Sequence, residues 1–123
     1  MLHKDITDKR LKAFFNVYNT LGYGFLEKVY ENALFLELKK LGLRVEKQFP
    51  IKVFYGGEQV GVYYADLLVE QCIILELKAA ESIVQENEYQ LINYLKATEI
   101  EVGLLLNFGK KPQFKRKIFT NKN

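Results

Sequence analysis

Cysteine is almost missing from this sequence, and acidic residues are missing altogether from its C-terminal part. Cys72 is the only cysteine in 123 residues. No intrachain disulfide can form, and a reducing, cytoplasmic setting is the expectation. No run approaches the roughly 20 consecutive apolar residues of a membrane-spanning helix. The opening Met-Leu-His-Lys-Asp-Ile-Thr-Asp-Lys-Arg has no apolar stretch of the kind a secretory signal needs. A membrane is therefore not an expected partner. Repeats, low-complexity stretches and linkers are also lacking, which leaves one domain over residues 1–123. His3 is the only histidine, and its place in the terminus makes it a poor catalytic candidate.

Beyond Asn107 there is no Asp or Glu, but there are six basic residues: Lys110, Lys111, Lys115, Arg116, Lys117 and Lys122. Residues 1–107 hold 12 basic and 15 acidic residues, formally −3, against +6 in the segment that follows. A basic segment (108–123) beside an acidic pocket suits a phosphate backbone and a divalent cation. The plainer reading is a solvated basic tail.

What the chain does have is periodicity. From Ile6 to about Leu41 the pattern is helical, with Leu11, Phe14, Phe15 and Tyr18 on one face. Asn19 to Gly24 breaks the run. Leu26, Val29, Tyr30, Ala33 and Leu34 form the apolar side of a second helix that stops at Gly42. Val45 to Tyr55 reads as a strand in which Pro50 argues for an edge or a bulge. Gln59–Val69 and Cys72–Lys78 are the next strands, on either side of an expected hairpin turn. Val84 to Lys96 returns to helix, Glu101–Asn107 is a strand buried on both faces, and Gln113–Thr120 adds an edge strand. The order ααβββαβ(β) predicts an α+β fold, an α/β sandwich with a mixed central β-sheet flanked by helices.

The chemistry concentrates in Cys72-Ile73-Ile74-Leu75-Glu76-Leu77-Lys78. Side chains alternate along a strand, so Glu76 and Lys78 share a face of an otherwise apolar segment. Burying charge is costly unless it is paired or bound to a metal. The plainer reading is a half-exposed ion pair on an edge. Asp66, in Tyr64-Ala65-Asp66-Leu67-Leu68-Val69, is a second acid inside an apolar strand. Hairpin register decides whether the two acids meet. A two-residue loop, Glu70-Gln71, pairs Ala65 with Glu76 and sends Asp66 to the opposite face. A three-residue loop, Glu70-Gln71-Cys72, or a bulge brings Asp66 and Glu76 together. Convergence is the expectation. Facing carboxylates repel unless a cation lies between them, and hard oxygen ligands favour Mg2+ or Mn2+. Such an ion binds a phosphate oxygen and acidifies water, while Lys78 stabilises developing charge.

An acid in one strand followed by Glu-x-Lys in the next resembles the PD-(D/E)XK nuclease superfamily. Gly24-Phe25-Leu26-Glu27-Lys28-Val29-Tyr30, with its Gly-x-x-Glu-x-x-Tyr spacing, looks like the signature of the GxxExxY protein family, a branch of it. Glu76-Leu77-Lys78-Ala79, Gln90–Thr98 and Gly103–Gly109 look like that family as well, so the resemblance covers about residues 5–118. It implies a restriction-endonuclease-like core and a Mg2+- or Mn2+-dependent endo- or exonuclease acting on nucleic acid, DNA before RNA. It also implies Glu27 as a helix-borne acid near the metal with Asp66 and Glu76, and Gln90 as a catalytic polar group. Lys96, Lys110, Lys111, Lys115, Arg116 and Lys117 are the candidate nucleic-acid contacts. A homodimer suits an enzyme that cuts two strands. Tyr64 replaces an expected basic residue, and Asn87 an expected histidine. The alternative is therefore a catalytically inactive relative, a nucleic-acid-binding or protein-interaction module.

Overall fold

The computed structural model describes residues 4–120, so His3 and Lys122 lie outside the described residues. Helices α1 (Lys4–Leu21) and α2 (Glu27–Lys40) lead into strands β1 (Val45–Tyr55), β2 (Glu58–Val69) and β3 (Ile73–Lys78). Helix α3 (Gln85–Lys96) carries the chain to β4 (Val102–Phe108), and β5 (Pro112–Ile118) closes the sheet. The five strands lie in the order β1-β2-β3-β4-β5. Only β3 and β4, joined through α3, run parallel; every other neighbour is antiparallel. The α+β architecture and the element order agree with the expectation.

Each strand sorts its residues by face. Leu67, Val69, Ile73, Leu75, Leu77, Val102, Leu104, Leu106 and Phe108 pack with α1 and α2. Leu68, Ile74 and Leu105 pack on the opposite side with Leu91, Tyr94 and Leu95 of α3. All seven residues of β4 are buried, as a strand covered on both faces requires. Helix α3 comes close because Gly103 has no side chain. A Cβ at that position would stand 2.7 Å from Leu91 Cδ1. Pro50 sits in β1, at the sheet edge, where a missing N–H costs least.

Helix α2 ends as its sequence predicts. Gly42, at φ 83, follows the last turn; its N–H donates to Lys39 O, and that of Leu43 donates to Leu38 O. This pair of bonds satisfies the carbonyls that a helix end leaves open. The buried faces differ from those expected. In α2, Leu26 precedes the first helical residue and is 81% exposed, and Val29 is exposed too. The buried residues are Tyr30, Glu31, Leu34 and Leu38. In α1 the face is centred on Arg10, Ala13, Phe14 and Val17, while Leu11, Phe15 and Tyr18 flank it. Both helices are turned by about one residue from the apolar stripe, and both place a charged side chain inward.

Arg10 is the costlier of the two. It is fully buried, and its guanidinium nitrogens have no hydrogen-bond partner among the described residues. Burial first, and then the charge of Arg116, push its pKa down to about 9, against the pull of Cys72 and Glu70. A buried, unpaired charge destabilises a core. Arg10→Leu is therefore expected to raise stability by about 1–4 kcal/mol, read as a higher urea midpoint at unchanged slope. A lower midpoint would show that the guanidinium is held by a counter-charge.

Candidate active site

The site forms where the sheet opens. Glu70 and Gln71, at φ 53 and 54, take left-handed conformations, and Glu70 is anchored to Arg44 through both its backbone and its side chain. The turn is thus the three-residue Glu70-Gln71-Cys72, and β2 pairs with β3 as Val69↔Ile73, Leu68↔Ile74 and Leu67↔Leu75. The next pair in this register is Asp66 and Glu76, and there the ladder stops. Side chains replace it. The Asp66 N–H donates to Glu76 Oε2 at 2.8 Å, and the Leu77 N–H donates to Asp66 Oδ2 at 2.8 Å. Two backbone donors that would face an open gap are satisfied by the two carboxylates.

A second irregularity aims Asp66. β1 and β2 pair in constant register from Val45↔Val69 to Val53↔Gly61, but with no pair recorded between Gln48 and Asp66. At that point both strands turn over. Val45 and Leu67 face the α1–α2 core, whereas Phe49, Ile51 and Ala65 face α3. Strict alternation would have kept Ala65 and Leu67 together. Gln48 absorbs the change with φ 53, and its Nε2 donates to Glu31 Oε1 at 3.1 Å. Of the two routes to convergence that the sequence offered, an odd loop or a bulged ladder, the odd loop is the one that occurs; the β1–β2 register is the same on both sides of Gln48 and Asp66 and shifts only between Val53 and Phe54. Glu31 and Gln48 were not identified from sequence. Glu31 was concealed as an ordinary helical glutamate, and the positive φ of Gln48 leaves no trace in its residue type.

The electrostatics follow from this crowding. Burial and then the Asp66 charge raise the Glu76 carboxyl to about 8, against Lys78 and the bond from the Asp66 N–H. Asp66 is raised as well, by burial first and then by Glu31 and Glu27, with the Leu77 N–H and Lys78 opposing. Lys78 thus acts on both carboxylates, and so does Glu27. Glu27 is exposed at the start of α2, and its Oε2 lies 3.4 Å from the Ala79 N–H.

Two buried side chains hold these elements together. Tyr30 stacks on Phe108, with centroids 4.2 Å apart. Its hydroxyl donates to Gly22 O at 2.7 Å and accepts from the Phe25 N–H at 3.2 Å. The tyrosine of the Gly-x-x-Glu-x-x-Tyr segment thus fixes the loop that delivers Glu27. Asn107, fully buried, grips both the N–H and the carbonyl of Ala80 at 3.0 Å, just beyond Lys78.

The other expected residues are distributed over α3, the turn after β4 and strand β5. Gln90 is half-buried on α3, in a groove with Tyr63 and Tyr94. Lys96 lines the continuation of that groove. Lys110 borders a cleft with Ala79 and Ala80, and Lys111 is exposed. In β5, Lys117 pairs with Glu88 at 2.6 Å, and Lys115 acts on the same glutamate. Arg116 is half-buried opposite Leu104, and its charge acts on Arg10.

Comparison with known proteins agrees with this geometry. The family model that matches residues 4–117 describes the PD-(D/E)XK nuclease superfamily. Among solved structures, the crystal structure of SSO0001 is similar in fold, with a TM-score of 0.59 at 20% identity. The match covers 77% of this chain and 50% of that one, so the chain spans about half of that protein's length. No curated protein matches significantly.

Two outcomes follow from the geometry. Glu76, raised from 4.5 to about 8, binds its proton more tightly folded than unfolded. Its contribution to stability is full below pH 4.5 and lost as pH climbs through 8. Metal-free protein should lose a few kcal/mol, on the order of 2–4, across that window, and Glu76→Gln should flatten the profile; a parallel decline in the variant would refute the assignment. Tyr30→Phe, which removes only the hydroxyl, should cost about 1 kcal/mol in thermal melts and speed hydrogen exchange at the Phe25 amide.

Proposed function

Because the chain belongs to the PD-(D/E)XK nuclease superfamily, we propose that it hydrolyses phosphodiester bonds, with DNA as substrate and Mg2+ as the ion, and that it falls in the GxxExxY branch through Gly24, Glu27 and Tyr30. The observation that carries the reading is the Asp66–Glu76 pair in the gap between β2 and β3, with Lys78 two residues on.

The donor set fits a hard divalent ion. Asp66 and Glu76 each engage one oxygen with a backbone N–H, which fixes the carboxyl and leaves the second oxygen to accept. Burial first, and neighbouring acids after it, raise both carboxyls, so a bound cation would favour their ionised forms. Among the described residues no three Asp, Glu, His or Cys side chains are gathered tightly enough to hold an ion by themselves. Two carboxylates completed by water is a common Mg2+ arrangement. When bound, the ion supplies an acidified water and polarises the phosphate. Asp66 and Glu76 would hold it, with Glu27 acting from the edge. Lys78 neutralises charge that builds on the phosphate oxygens. The backbone just beyond Lys78 is anchored at Ala79 and Ala80 by Glu27 and Asn107.

One observation favours a second reading, a binding module without turnover: Glu27 is exposed and contributes no third ligand as it stands. The two readings part in a cleavage assay. With Mn2+ or Mg2+, wild type should cut linear, branched or single-stranded DNA, and EDTA should stop it. Glu76→Ala and Lys78→Ala should each lower the rate by about 100-fold or more. Binding without cleavage of any of these substrates would establish the module instead.

A further inference from the structure

A groove runs between α3 and the β1–β2 hairpin, and one end of it reaches Tyr94, whose core layer also holds Ala65 and Leu105, the neighbours of Asp66 and Glu76. Its near part, about 270 Å3, lies between Ile51 and Tyr63 of the hairpin and Tyr89, Gln90 and Tyr94 of α3. Its far part, about 540 Å3, shares Tyr63 and Asn93 with the first and ends at Lys52 and Lys96. Burial first, and then the charges of Glu76 and Asp66, raise the Tyr94 hydroxyl, so this end of the groove lies within reach of the acids' charge. The rings of Tyr63 and Tyr94 are 5.7 Å apart, tilted by 43°. Tyr63 is 51% and Tyr89 59% exposed, although both line the groove with the buried Ile51 and Tyr94.

Charge is graded along this path. Lys52 and Lys96 stand at the far end, with the Lys96 ammonium 6.0 Å above the Phe119 ring. Glu86 lies in the wall of the near part, on the same side of the groove as Tyr89 and Gln90. Exposed aromatic faces offer little to a duplex, whose base faces are hidden by stacking. An unpaired strand presents base faces that stack on tyrosine whatever the sequence, and its phosphates are neutralised by lysine. The acidic near end holds a phosphate only where a cation intervenes, which gives the groove a direction.

We propose that this groove seats an unpaired DNA strand, with bases stacked on Tyr63 and Tyr89 and phosphates neutralised by Lys52 and Lys96, leading to the Asp66–Glu76 pair. The strand's destination rests on the hydrolase reading; its binding does not. Tyr63, Tyr89, Lys52 and Lys96 act in binding and stand outside the hydrolytic centre.

The test is fluorescence anisotropy on the full chain in EDTA, which separates binding from turnover. The probes are a labelled oligodeoxythymidylate of about 12 nucleotides and a blunt duplex of equal length. The single strand should bind about tenfold more tightly or better. Tyr63→Ala and Tyr89→Ala should each weaken it by about fivefold or more and leave duplex binding unchanged, whereas Tyr63→Phe should retain it. Lys52→Gln with Lys96→Gln should reduce the salt slope by about 1.4. Equal affinity for duplex and single strand overturns the proposal. So does undiminished strand binding by alanine variants with unchanged circular dichroism and melting. Selective strand binding together with failed cleavage in Mn2+ would sink the hydrolase reading and leave this one standing.

Discussion

Two hydrogen bonds hold the gap on which the rest depends. Where β2 and β3 part beyond Leu67↔Leu75, the Asp66 and Leu77 amides lose their ladder partners and are met instead by Glu76 Oε2 and Asp66 Oδ2. Each carboxylate is locked to the backbone of the strand opposite. Neither can rotate away without exposing a buried donor, a loss comparable to its desolvation cost of about 1–3 kcal/mol. The same two bonds that terminate the sheet thus fix the acids in relation to each other. Preorganisation of this kind is what electrostatic catalysis requires.

Burying two acids side by side is unfavourable in isolation: burial first raises both carboxyls, and the Asp66 charge raises Glu76 further. The surrounding core offsets it. The last well-paired residues before the gap, Leu67 and Leu75, are fully buried against α1 and α2, and Ile74 is buried against α3. Separating the acids by sliding one strand by a single residue would turn those apolar side chains to the wrong layer. Register is therefore set by hydrophobic burial, and the acids inherit it. At the same time the turnover at Gln48 and Asp66 releases Asp66 from strict alternation, so that after burial Glu31 and Glu27 raise its carboxyl while its own charge raises Glu76.

Much of this was legible from residue types, because strand periodicity and turn length are local properties. Alternation along Ile73–Lys78 put Glu76 and Lys78 on one face, and the requirement that Asp66 meet Glu76 selected an odd loop or a bulge. The helix faces were less legible. A stripe of Leu26, Val29 and Tyr30 gives no sign that the helix begins at Glu27, nor that Tyr30 spends its hydroxyl on the Gly22–Phe25 loop. Arg10 and Glu31 break the expectation that charged residues face solvent, and only tertiary packing reveals them. Gln48 is illegible for another reason: a left-handed φ at a non-glycine residue is imposed by its neighbours, here by two strands that turn over together.

Charge is where sequence counting misleads most. The run of lysine and arginine after Asn107 reads as a +6 tail, yet residues 112–118 form a strand paired to β4 along its length. Strand geometry then divides the charges. Arg116, opposite Leu104, faces the α1 layer and acts on Arg10. Lys115 and Lys117, opposite Leu105 and Gly103, face α3, where Glu88 takes up Lys117. A field that a solvated tail would present as one patch is split between two faces and partly cancelled, and screening at physiological salt acts over about 8 Å. Phosphate attraction then depends on which lysines share a surface with the carboxylate gap. Lys110 borders the cleft of Ala79 and Ala80, just beyond Lys78, and Lys52 and Lys96 stand together at the end of the tyrosine groove. Position on the sheet therefore decides which of the basic residues can act together.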